Sequence, residues 1–137
     1  MMAKLKDEQK VDLVKIASDV RKWAYVPYSN YQVGAAVLTD SGRIYDGVNI
    51  ENAAFPVTVC AERTAIFKAI SNGERKFQAI AVVTRDGGMP CGSCRQVMAE
   101  FGPEMLVIVA DENGRITAEK KLSDLLPDMF TSKSLDD

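Results

Sequence analysis

The chain has 137 residues, with 17 basic and 19 acidic side chains and a formal net charge of −2. At 47% hydrophobic and 26% charged it has the composition of a packed core, which excludes disorder, and one compact domain over 1–137 is expected. Near-balanced charge argues against a nucleic acid partner, and no run approaches the roughly 20 apolar residues of a membrane helix.

Residues 1–10 are charged and carry no apolar centre, so no secretory signal is read there and a cytoplasmic location is expected. Residues 6–24 read as an amphipathic helix, with Val11, Val14, Ala17, Val20 and Ala24 at three- and four-residue steps and Asp7 as the cap. Pro27 and Ser29 mark 25–31 as a loop. The runs 33–39 and 43–50 flank Asp40-Ser41-Gly42 and spell an antiparallel hairpin. A loop with Pro56 follows, then a helix over 60–70 closed by Asn72-Gly73. A β-rich run at 77–84, a loop at 85–90 and a second helix at 91–101, stopped by Gly102-Pro103, come next. Strands at 105–110 and 116–121 surround a turn, 122–126 forms a helical turn before Pro127, and 131–137 is a polar tail. This alternation predicts the α/β class, a mixed sheet with helices on its faces. Both cysteine-bearing segments fall at strand-to-helix junctions, where such folds carry their functional loops.

There is no histidine. Ser–His and Cys–His nucleophile pairs are thereby excluded, as is any histidine metal ligand. The three cysteines, Cys60, Cys91 and Cys94, are too odd a count for a disulfide framework. Cys91 and Cys94 stand at i and i+3 where a helix opens after Pro90, and Cys60 opens another. Both places favour thiolate through the partial positive charge of a helix start. Zinc binding, a redox pair and inert core thiols are all readings of such a set. A structural zinc site has four protein ligands and a catalytic one three, so zinc on these cysteines would leave one position for water. Glu62, two residues past Cys60, is too near in sequence for easy ligation but well placed to move protons; its bland reading is a first-turn acidic residue. Arg63 and Arg95 follow the cysteines closely, and either is able to offset the charge of three thiolates on one divalent ion.

Four stretches together carry a wider pattern: Tyr28-Ser29-Asn30-Tyr31-Gln32-Val33-Gly34-Ala35-Ala36, Asn49-Ile50-Glu51-Asn52-Ala53-Ala54-Phe55, Cys60-Ala61-Glu62-Arg63-Thr64-Ala65 and Pro90-Cys91-Gly92-Ser93-Cys94-Arg95-Gln96. In this order and spacing the sequence resembles the small, homotetrameric, zinc-dependent cytidine deaminases over nearly its whole length. The resemblance implies a three-layer α/β/α fold with a mixed five-stranded sheet. It also implies hydrolytic deamination of cytidine and 2′-deoxycytidine in pyrimidine salvage, with one zinc per subunit. It assigns Cys60, Cys91 and Cys94 as ligands, Glu62 as proton shuttle and Arg63 as the residue shielding the thiolates. It further assigns the Ala61 backbone to the polar edge of the pyrimidine, Asn49 and Glu51 to the ribose hydroxyls, and Tyr31 to the base pocket. Phe130 becomes an aromatic that reaches a neighbouring subunit's site in a homotetramer.

The sequence departs from the family pattern at four places. Tyr31 stands where phenylalanine is common, Phe55 where tyrosine is common, and Ser93 where alanine is usual; the loop 85–89 is short. These departures touch the pocket's rim. They keep two other readings in play: a deaminase of the same fold acting on a modified cytidine or a nucleoside antibiotic, and a non-catalytic zinc-stabilised nucleoside-binding module.

Overall fold

The computed structural model describes residues 5–136. Residues 1–4 of the charged N-terminal stretch, and Asp137 of the tail, lie outside the described residues. Helix α1 spans Asp7–Val20, followed by a 3-10 turn at Arg21–Trp23. Strands β1 (Gly34–Thr39) and β2 (Ile44–Val48) form the expected antiparallel hairpin. Helix α2 (Ala61–Ser71), strand β3 (Phe77–Val83), helix α3 (Gly92–Phe101) and strand β4 (Leu106–Ala110) follow. Strand β5 (Ile116–Lys121) and the short helix α4 (Leu122–Leu125) complete the main elements.

The five strands lie in the order β2-β1-β3-β4-β5. Only β3 and β4 run parallel, joined through α3; the other neighbouring pairs are antiparallel. The sheet is therefore mixed, as the alternation of elements predicts.

Two-residue side-chain alternation divides the core into two layers. On one face Ala36, Leu38, Ala79, Ala81 and Ile108 meet Leu13, Val14 and Ala17 of α1. On the other, Ala35, Val37, Ile80, Val82 and Val107 meet Ile66 of α2 and Met98 of α3. Strand β1 is buried at every residue, which is why Gly34–Thr39 reads as a continuous apolar run rather than an alternating one. Strand β5 lies at an edge and carries Glu119, Lys120 and Lys121, charges that discourage further strand pairing.

Three expectations for the first helix need correcting. Its regular part ends at Val20, where the chain tightens into the 3-10 turn, rather than at Ala24. The cap position belongs to Lys6, whose backbone N–H donates to Gln9 Oε1 at 2.9 Å; Asp7 lies in the first turn. Val11 is 60% exposed, because the face turned to the sheet is set by Leu13, Val14 and Ala17.

Gly47 places α2. A Cβ there would lie 2.5 Å from the Ala65 backbone nitrogen and 2.9 Å from the Ala61 carbonyl oxygen, so only glycine lets α2 rest this closely on β2. The close approach brings the start of α2 over the hairpin. There it meets the start of α3, which emerges from the end of β3.

Candidate active site

Cys60 and Cys91 occupy the N-cap positions of α2 and α3, and Cys94 sits in the first turn of α3. The sequence places both helix starts on the cysteines themselves; in the structure these residues are extended caps and the helices begin one residue later. Two helix starts thus converge on one point. The Cys60 and Cys91 sulfurs are 3.9 Å apart, Cys91 and Cys94 3.4 Å, and all three lie within 4.8 Å of one another. Ligands at about 2.3 Å around a tetrahedral zinc stand about 3.8 Å from each other, so the separations fit a single ion. All three cysteines are free, and cysteine sulfur is a donor that zinc prefers. The redox-pair and inert-core readings leave unexplained why the third sulfur joins the other two.

The electrostatics agree with a cluster built for negative charge. The Cys60 thiol is lowered to about 5, first by a hydrogen bond from Cys94 and then by Arg63, against the opposing effect of burial. Cys94 moves the opposite way, since it keeps the proton it donates to Cys60 and is itself fully buried. Arg63 Nη2 donates to Cys60 Sγ at 3.4 Å. Arg95 serves elsewhere: its guanidinium donates to the Pro90 and Leu125 carbonyls at 3.0 and 2.8 Å, tying the α3 start to α4. Of the two arginines near the cysteines, Arg63 is the one at the sulfurs.

Glu62 is 4% exposed in the first turn of α2. Burial raises its carboxyl to about 7, and the neighbouring Cys60 adds to the rise. A carboxyl so placed exchanges its proton near neutrality, the range in which a general acid–base group works best.

A cleft of about 450 Å³ opens above this cluster, lined by Tyr31, Asn49, Glu51, Cys60, Ala61, Glu62 and Cys91. Seven residues named from sequence therefore share one cavity. Cys94, fully buried, and Arg63, bonded to Cys60, are not among its lining residues. Phe130 is not among the lining residues; it is 58% exposed, and its backbone carbonyl accepts from Gln96 Nε2 at 2.9 Å.

Asn49 and Glu51 also brace the opposite wall. Asn49 Nδ2 donates to the Tyr31 carbonyl at 2.8 Å, and Asn49 Oδ1 accepts from Val33 N at 2.9 Å. The Glu51 carboxylate accepts from the backbone N–H groups of Tyr28 and Ser29 and from the Ser29 hydroxyl. These bonds, the Ser29 hydroxyl foremost, hold its carboxyl below the usual range.

Ser29, Val33, Val82, Thr84, Gly88 and Met89 line the cleft as well and were not singled out from sequence. The signal for Ser29 lay within the quoted Tyr28–Ala36 stretch. Thr84 and Gly88 had none beyond a strand end and a glycine pair.

The chain is similar to known proteins along most of its length. Residues 7–110 match the family described as the cytidine and deoxycytidylate deaminase zinc-binding region. A cytidine deaminase from Halalkalibacterium halodurans is 50% identical over 128 residues, spanning 91% of this chain and 96% of that relative. A blasticidin-S deaminase from Bacillus cereus is 31% identical over 134 residues, spanning 90% and 94%. Among solved structures, a cytidine deaminase from Burkholderia pseudomallei superposes with a TM-score of 0.84 at 43% identity, covering 92% of this chain and all of that one.

Proposed function

The chain belongs to the cytidine and deoxycytidylate deaminase zinc-binding family, and from that premise we propose that it is a zinc-dependent cytidine deaminase acting on cytidine and 2′-deoxycytidine. The observation that carries this reading is the buried Glu62 beside three convergent sulfurs on the floor of a nucleoside-sized cleft. Cys60, Cys91 and Cys94 hold the zinc. Bound zinc supplies Lewis acidity and makes water a competent nucleophile near neutral pH.

Glu62 is the proton carrier. Its neutral form donates to the ring nitrogen of the pyrimidine, and its ionised form takes a proton from the attacking water. The new C–O bond forms at the ring carbon bearing the amino group. Glu62, having given its proton to the ring nitrogen, takes the remaining proton of the new hydroxyl and delivers it to the amino nitrogen; the C–N bond breaks and ammonia leaves, so that cytidine and water become uridine and ammonia. A glutamate beside, but not on, the metal is the acid–base group of this enzyme class generally. Arg63 offsets the charge of the sulfurs through its bond to Cys60. The Ala61 backbone meets the polar edge of the base, Tyr31 flanks it, and Asn49 and Glu51 meet the ribose hydroxyls.

The assembly is a homotetramer with shared sites. Its support here is the apolar surface that one chain leaves open: Phe55 is 72% exposed and Phe130 58%, and Phe130 lies outside its own cleft. A monomer by light scattering at working concentration overturns this part alone. The activity belongs to pyrimidine salvage in the cytoplasm, which agrees with free cysteines and with no described helix long and apolar enough to cross a membrane.

The test is the ultraviolet absorbance of cytidine incubated with zinc-loaded protein. Absorbance falls as uridine forms, and a chelator stops the fall. Folded, zinc-loaded protein that binds cytidine without changing it supports the non-catalytic module instead. The similarity to a blasticidin-S deaminase favours one second reading, deamination of an aminopyrimidine nucleoside antibiotic. Turnover of blasticidin S faster than cytidine in the same assay selects it.

A further inference from the structure

The cleft has two walls with no chain continuity between them: the segment 28–33, held by Asn49 and Glu51, and the short loop 84–89 at the end of β3. Side-chain contacts of Tyr31 join them. The Tyr31 hydroxyl donates to Asp86 Oδ1 at 2.7 Å across 55 residues of sequence. The same carboxylate oxygen accepts from Thr84 Oγ1 at 3.3 Å, and Thr84 Oγ1 in turn accepts from Gly88 N at 2.8 Å. The Arg85 guanidinium lies 5.6 Å from the centre of the Tyr31 ring.

The loop's residues suit this closure. Gly87 has φ +75°, which side-chain-bearing residues rarely adopt, and a Cβ on Gly88 would lie 2.9 Å from the Tyr31 hydroxyl. The glycine pair therefore folds the loop back and lets it lie directly on Tyr31. Tyr31 is also fixed from the other side, its carbonyl by Asn49 and its N–H by Ser29 Oγ. Asp86 itself is exposed and does not line the cleft, yet Tyr31, Thr84 and Gly88 all do.

We propose that Asp86 is a positioning residue for the nucleoside: it latches the 84–89 loop to Tyr31 and so sets the width of the cleft. The proposal rests on the reading of this cleft as the nucleoside site. The latch touches neither the sulfurs nor Glu62, so it governs binding more than chemistry.

The test is steady-state kinetics on cytidine with zinc content and melting temperature measured alongside. Asp86→Ala raises KM about fivefold, the worth of one partly exposed hydrogen bond, with kcat within about twofold. Asp86→Asn keeps an acceptor for the tyrosine hydroxyl and restores KM to near the parent value. Tyr31→Phe raises KM about as much as Asp86→Ala, and the double variant is no worse than either, as one shared contact requires. Hydrogen exchange at the Gly88 amide speeds up in Asp86→Ala.

An unchanged KM in Asp86→Ala, additive single effects, or an Asn variant as impaired as the Ala variant overturns the proposal. If Asp86→Ala loses zinc or unfolds, Tyr31→Phe decides alone, and an unchanged KM there overturns it. A parent protein without cytidine turnover overturns the underlying reading and the latch together. A parent that turns over cytidine while its variants match it overturns only the latch.

Discussion

The two ends of the cleft are built on different physics. The floor is made of helix starts locked into the core: Ala61 and Cys94 are fully buried, Glu62 nearly so, and Gly47 brings α2 into backbone contact with β2. The rim is made of loops, with Tyr28, Ser29, Arg85 and Asp86 exposed, and side-chain hydrogen bonds hold it in place. Chemistry that tolerates little displacement sits where packing is densest, and recognition sits where small shifts cost little.

Stripping the metal tests the floor most severely. A strong chelator takes deamination to background, and added zinc restores it, with metal analysis tracking activity; turnover by metal-free protein breaks the comparison outright. Next in size is Glu62→Gln. It lowers kcat by about 10³-fold while zinc content stays at parent level, as the proposed role of moving protons without ligating requires. A rate equal to the parent's removes Glu62 from its role.

Gly47→Ala is a packing test of the same end. Forcing a methyl group against the α2 backbone costs about 3 kcal/mol and lowers the melting temperature by roughly 10 °C. The steric clash is absent at Gly42, where a Cβ meets nothing within 4 Å; at φ +88° a substitution there is strained by its backbone conformation alone.

The smallest effect belongs to the rim. Asn49→Ala raises KM for cytidine about tenfold, because it removes the proposed sugar contact and also frees the Tyr31 carbonyl and the Val33 amide. Zinc content stays unchanged. A loss of zinc in this variant would erase the division between floor and rim.

The same division explains what could be read from residues alone. The floor was legible because its chemistry resides in residue type and local spacing: three cysteines without histidine, two of them at i and i+3, and a glutamate two residues past the third. The central strands were legible because burial on both faces leaves an unbroken apolar run. The choice between Arg63 and Arg95 was not legible, since it depends on which guanidinium faces the sulfurs and which turns toward Leu125. The Tyr31–Asp86–Thr84 contacts were equally hidden, because nothing local marks an exposed aspartate as the partner of a tyrosine 55 positions away. Val11 misled for a related reason: it shares its stripe with Val14 and Ala17, which do face the sheet, but the buried face is rotated toward Leu13 and leaves Val11 at its edge.

The convergence of two helix starts has a mechanical side too. Helix α2 rests on the β1–β2 hairpin, whereas α3 is the crossover between the parallel strands β3 and β4. An ion gripped by Cys60 on one and by Cys91 and Cys94 on the other is therefore a rivet between the two halves of the molecule. Losing it would loosen the joint before it melted either half.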